Sequence, residues 1–344
     1  MTTAATAKSA RLRWHQVAIG LVVLLLAAGV GLTVGAAPIP AGGALMALVD
    51  GLPLIEVGHG LDRIQLRILY EIRFPRVVLG GLVGSVLAIS GAAYQGVFKN
   101  PLADPYLLGV AAGAGLGATA ALGSGAEPWT VAPLAFAGGL AAVFVTYSLG
   151  RSVGGRTTTS LILAGVAVAA FATAVQTYLL QRRVDTLREV YSWILGRLTT
   201  VGWDEVWTMA PYTAVAGLVL LGARRLLDVL SVGDDEARAL GVKVDRVRIL
   251  VVLAATLATA AAVSVSGLIG FVGIIVPHII RLAFGWSYRV ILPLSMIFGA
   301  VFMMSADVVA RTLLSPAELP IGVVTAFLGA PFFVLVLRTS RVPR

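Results

Sequence analysis

Hydrophobic and polar positions alternate along this chain in long blocks, with apolar runs of near-membrane length separated by short polar breaks. The runs lack the strict alternation of barrel strands, and in lipid each span must satisfy its own backbone, so they predict helices. Ten are expected, at about 16–36, 74–98, 107–123, 130–149, 158–180, 205–223, 248–266, 274–285, 291–311 and 321–338. The fold class read from this pattern is all-α, a polytopic membrane protein of about ten transmembrane helices. Residues 1–344 form a single domain, with 1–15 as a cytoplasmic tail. The first run follows Lys8, Arg11 and Arg13 and precedes GAAP, as a secretory leader would. Its length of about 20 residues marks it as a retained helix instead.

The breaks carry most of the local information. Residues 37–72 are expected as a surface loop with a short amphipathic helix, and RFPR as the start of the second span. Arg73 and Arg76 share a face there. Gly109, Gly113 and Gly117 recur every fourth residue and form a stripe for close helix packing. Arg156-Thr157-Thr158-Thr159-Ser160 reads from its spacing as a helix cap. Residues 181–204 are too charged to span and should lie in the interface. Arg224 to Arg248 is the longest polar interruption; Asp234, Asp235 and Glu236 suit a helix start, bracketed by Gly233 and Gly241. Gly267, Gly270 and Gly273 break an apolar run and Pro277 is expected to restart it, the form a pathway element takes at membrane depth. Asp307 and Arg311 are spaced to pair on one helix face.

Composition agrees with lipid. The chain is 58% hydrophobic and 12% charged, against about 25% charged for a soluble domain. Cysteine is absent and the three histidines form no ligand spacing, so no metal site is expected. The net charge of +9 reads as loop bias rather than nucleic-acid binding. With the N-terminus inside, 17 of the 26 basic residues fall on cytoplasmic loops, and both termini lie on that side. The remaining nine, Arg73, Arg76 and Arg311 among them, need another explanation. No glycine-rich phosphate loop with lysine, HExxH, GxSxG or CxxC occurs, so the chain is expected to be non-catalytic, with no cofactor of its own.

Four stretches, RFPRVVLGGLVGSVLAISGAAYQGVFKNPLADPYLLGV, GDDEARALGV, GLIGFVGIIVPHIIRLAFG and ELPIGVVTAFLGAPFF, closely resemble the FecCD-type permeases, in order and from about Arg73 to Leu337. These are membrane subunits of type II ABC importers for iron chelates, haem and vitamin B12. The resemblance implies two permease subunits, read here as a homodimer, two cytoplasmic ATPase subunits that hold the ATP and Mg, and an extracytoplasmic binding protein. It implies that Asp234, Asp235, Glu236, Ala237, Leu240 and Gly241, within a cytoplasmic segment 224–248, couple to the ATPase. It implies that Arg73, Arg76 and Arg311 meet acidic residues of the binding protein, and that Thr157, Thr158 and Thr159 form a cytoplasmic gate. Gly267, Gly270, Gly273 and Pro277 are the pathway candidates. Among cargoes a ferric siderophore is expected first, haem or cobalamin next. The rival reading is a secondary transporter or channel not coupled to ATP. It requires charges within the spans, where this sequence is nearly charge-free.

Overall fold

The computed structural model describes residues 11–51, 58–152, 158–198 and 202–339. Its elements in chain order are α1 (Trp14–Thr33), α2 (Ala41–Asp50), α3 (Arg63–Arg67), α4 (Phe74–Phe98), α5 (Val110–Gly123), α6 (Val131–Ser152), α7 (Thr158–Arg182), α8 (Leu187–Ile194), α9 (Asp204–Val232), α10 (Asp234–Ala239), α11 (Val244–Ser266), α12 (Val272–Phe284), α13 (Tyr288–Thr312) and α14 (Ile321–Thr339). No strand occurs among the described residues. Each of the ten predicted runs lies on a helix. Six helices among the described residues are long and apolar enough to cross a membrane, and four shorter apolar helices accompany them.

The axle is α4. The most apolar window of the continuous helix Arg63–Phe98 is 89% buried, against 17% for α1, 28% for the helix that includes α6 and 22% for α7. Helices α9, α11, α12 and α13 surround α4, while α1, α6 and α7 turn residues such as Leu25, Phe144 and Phe171 outward. An outer ring of apolar side chains around a buried helix is the layering that a lipid solvent requires. Close packing at the axle depends on glycine. A Cβ on Gly273 would lie 3.1 Å from Gly91 Cα and 3.0 Å from the Leu87 carbonyl. Gly84 and Gly299 face each other in the same way between α4 and α13. Gly113 and Gly117 of the predicted stripe face the backbone of α6 at Gly138 and Leu134.

Several local expectations are corrected. The segment before Phe74 is not a loop with one short helix: α2 forms there, and the helix entering α4 begins at Arg63. Asp62 caps it, its carboxylate accepting the Gln65 N–H at 2.7 Å while Gln65 Oε1 accepts the Asp62 N–H at 3.1 Å. Pro75 cannot donate to the Glu71 carbonyl and would crowd it. The helix widens into a π turn over Ile68–Arg73, and the Gly202 N–H donates to the freed Glu71 oxygen at 2.7 Å. Helix α9 runs nine residues beyond its predicted end, because Leu220, Ala223, Leu227 and Leu230 keep a buried stripe through the charged stretch. Pro277 does not start a helix; α12 begins at Val272 and carries Pro277 buried in its interior.

Helix direction defines two ends. The end of α1, the start of α4 and the end of α13 meet at one, through Arg73, Arg76 and Arg311. At the other, the residue that ends α4, Lys99, meets α10 at Asp234. The 25 residues of α4 separate the two, about 37 Å at 1.5 Å per residue.

Candidate functional site

The end that carries α10 is built from an acidic six-residue helix. Three carboxylates, Asp234, Asp235 and Glu236, occupy its first turn, where the exposed N–H groups favour negative charge. Asp234 faces inward. Lys99 Nζ lies 2.8 Å from its Oδ1 and Arg248 Nη2 3.0 Å from its Oδ2, so three helices are joined at one carboxylate. The hydrogen bond from Lys99, then that from Arg248, holds its carboxyl below the usual carboxylate range. Ala237 is fully buried beneath the helix. Asp235, Glu236, Arg238 and Leu240 point away from the protein, and Leu240 is 70% exposed. Gly241 takes φ +80° and ends the turn, its N–H donating to the Arg238 carbonyl at 2.9 Å. The six residues predicted here thus form one unit, with its inner edge clamped and its outer edge free.

Two of the gate candidates, Thr158 and Thr159, lie toward the same end. Thr157 is outside the described residues. Thr158 opens α7, and Thr159 is exposed two residues before Leu161. Leu161 lines a small cavity together with Asp245 and Arg248 of α11.

At the opposite end, Arg73, Arg76 and Arg311 lie buried side by side. They are 4%, 7% and 6% exposed. Arg73 donates to the carbonyls of Leu32 and Thr33 at 2.9 and 2.7 Å, and to that of Ala37. Arg311 donates to the Gly31 carbonyl at 2.8 Å, and its Nε lies 3.2 Å from Asp307. Arg76 bridges two acids, Asp307 at 2.8 Å and Glu318 at 2.9 Å. Burial without partners would be prohibitive for a guanidinium, and these carbonyls and carboxylates supply them. Spacing had flagged the Asp307–Arg311 pair, but nothing in it flagged Glu318, whose partner Arg76 is 242 positions away.

Between the ends lies an apolar groove of about 550 Å³. Ile194 and Leu195 at the end of α8, Leu268 before α12, and Val323 and Phe327 of α14 line it. The glycines read as pathway residues stand behind this groove rather than in it. Gly267 takes φ +68° against the Trp193 carbonyl, and Gly273 is buried on α4; only Gly270 has open space beside it. Opposite, Gly196 takes φ +76° and the Arg197 N–H donates to the Ser266 carbonyl at 2.7 Å, so the groove wall is two chain breaks stitched together. His278 packs edge-on against Phe332 at 5.6 Å.

The model of the FecCD transport family matches residues 21–339. The chain belongs to that family. Among its relatives are the cobalamin import system permease protein BtuC of Halobacterium salinarum, 44% identical over 79% of this chain and 73% of the relative, and the Fe(3+)-citrate import system permease protein YfmD of Bacillus subtilis, 37% identical over 94% of each. A solved inward-facing transporter assigned to the metal-chelate ABC type superposes with a TM-score of 0.82 at 28% identity, covering 95% of this chain and all of that one. This FecCD chain is therefore an integral membrane permease subunit of the ABC transporter class.

Proposed function

We propose that the chain is the transmembrane permease of an ATP-driven importer that moves a bulky metal chelate handed over by an extracytoplasmic binding protein. The single observation that carries this reading is α10. A short acidic helix clamped on its inner edge by Lys99 and Arg248, with Glu236 and Leu240 free on its outer edge, has the form of a handle for a soluble partner. That partner is a pair of cytoplasmic ATPase subunits, which bind the ATP and Mg; this subunit performs no chemistry and binds no cofactor. The α10 end is cytoplasmic, both termini lie on that side, ten helices count as spans, and two copies assemble around the pathway.

Residues at the two ends work in sequence. An acidic lobe of the binding protein docks at the arginine end, where Arg76 and its neighbours receive it. Closure of the ATPases draws the two α10 helices together and rocks the spans, a rigid-body switch between two packings. The cargo passes along the apolar groove beside α14 and leaves past the threonines 157–159. An apolar wall suits a large ligand that must be let through without being held. It does not supply the buried charges through which a secondary transporter binds its coupling ion.

A corrinoid now stands ahead of a ferric chelate, reversing the order expected from the sequence, because the cobalamin-system relative is the more similar, 44% against 37% identical. The test is reconstitution of the permease with its ATPase and binding protein in liposomes. Labelled cobalamin should accumulate only with ATP; uptake of ferric citrate or a ferric siderophore instead would reassign the cargo, and uptake without an ATPase would end the importer reading.

A further inference from the structure

Arg76 is shared by two carboxylates that differ in access to solvent. The Asp307 side chain is 3% exposed; that of Glu318, on the turn between α13 and α14, is 41% exposed. Glu318 grips Arg76 as a two-point fork, accepting from Nη1 at 3.0 Å and from Nη2 at 2.9 Å. Any carboxylate can reproduce that geometry. Arg76 and Arg311 face Asp307 and Glu318, so these four groups balance with Glu318 in place and carry one surplus positive charge without it. A buried, uncompensated guanidinium is costly. Without Glu318 a single carboxylate, Asp307, serves both Arg76 and Arg311, so the departure of Glu318 favours the arrival of another carboxylate.

We propose that Glu318 is an internal placeholder: it occupies Arg76 in the free permease and is exchanged for an acidic side chain of the docking binding protein. This rests on the reading of the arginine end as the outer, docking face. The exchange has a mechanical consequence. The turn that bears Glu318 is tied back to α13 by the Leu319 N–H, which donates to the Ala310 carbonyl at 2.9 Å. Two residues further on, the Ile321 and Gly322 N–H groups donate to the carbonyls of Gly196 and Leu195 at 3.2 and 3.1 Å. Leu195 and Gly322 both line the apolar groove. Releasing Glu318 frees the turn that seats α14 against the end of α8, so docking at Arg76 loosens the groove's own wall.

The experiment compares the wild-type permease–ATPase complex with Glu318→Gln in nanodiscs, each titrated with its extracytoplasmic binding protein at low and high salt. Glutamine fills the same space without the charge and competes less well for Arg76, so the variant should bind the protein about tenfold tighter at low salt, the scale of a close charge-pair coupling. Amide hydrogen exchange across residues 313–322 should rise in the wild type when the protein docks, and should already be high in the variant beforehand. Equal or weaker binding by the variant overturns the placeholder while leaving the importer reading intact. Failure of the wild-type complex to bind any such protein overturns both.

Discussion

At the scale of single residues the arginine end rests on Asp307. Its side chain answers both Arg76 at 2.8 Å and Arg311 at 3.2 Å, and all three are nearly shut off from solvent. Asp307→Asn would keep the shape but leave two guanidinium groups short of charge. Breaking a buried pair from one side costs about 3–5 kcal/mol, so the thermal midpoint of the purified variant should fall sharply. A midpoint within a degree or so of wild type would mean that the cluster is held by the carbonyls alone. Asp234 is the milder case at the other end. Its carboxyl is held low by Lys99 and then Arg248, so the stability it adds is present above its unfolded pKa of about 3.9 and is lost as pH falls through the lower folded value. It is partly exposed and screened, and its contribution is about 1 kcal/mol. Asp234→Asn should therefore be less stable than wild type at neutral pH, with the gap closing in strong acid; a gap that persists there would assign the effect to packing.

At the scale of elements, glycine decides how closely the axle is packed. Gly91 on α4 and Gly273 on α12 meet backbone to backbone, and Gln95 Nε2 donates to the Gly273 carbonyl at 2.8 Å across the same contact. Gly91→Val must push α12 outward, and overpacking of this kind costs about 1–3 kcal/mol or more. By contrast, Gly29 on α1 has nothing within 4 Å of its Cβ position, so Gly29→Ala should be neutral or gain up to about 1 kcal/mol from helix propensity. Denaturant melts of the two variants in one detergent would separate the cases, and equal loss in both would refute the backbone contact. These elements also mark how far the sequence could be read. Apolar run length located the helices because the bilayer imposes it on each segment alone. The spacing of Gly113 and Gly117 was legible for the same reason, since both lie on one face of α5, whereas Gly109 takes φ +83° before the helix and faces α7. What escaped depends on partners far off in the chain. The π turn before Pro75 exists because Gly202 can take the Glu71 carbonyl, and the extension of α9 exists because Leu227 and Leu230 find a core to enter. The burial of Arg76 follows from acids 231 and 242 positions away, which no local spacing reveals. The short helix α10 was legible, since three acids bracketed by Gly233 and Gly241 sit within one short stretch; the groove was not, since its wall is assembled from α8, the break before α12, and α14.

At the scale of the whole molecule, the two ends share one helix. Arg76 lies in the first turn of α4 and Lys99 ends it, with α9, α11, α12 and α13 packed along its length. A buried helix so tightly held moves as a rod, so force applied at Arg76 reaches Lys99, and Lys99 passes it to α10 through Asp234 at 2.8 Å. That connection can be cut without touching either of the proposed docking surfaces. Lys99→Ala removes the tie between α4 and α10 but leaves the cluster of Arg76, Asp307 and Glu318, as well as the outer edge of α10 at Glu236 and Leu240, unchanged. In the reconstituted complex the binding protein should attach to this variant with wild-type affinity, and the ATPase should remain bound, yet stimulation of ATP turnover by the docked protein should drop several-fold. Arg248 still holds Asp234 at 3.0 Å, so the loss should be partial in Lys99→Ala and deeper when Arg248→Ala is added. Undiminished stimulation in the double variant would show that the ends communicate by a route other than α4. A fall in binding-protein affinity would show instead that the helix bends rather than carries load, because a change at Lys99 would then have altered the cluster about 37 Å away.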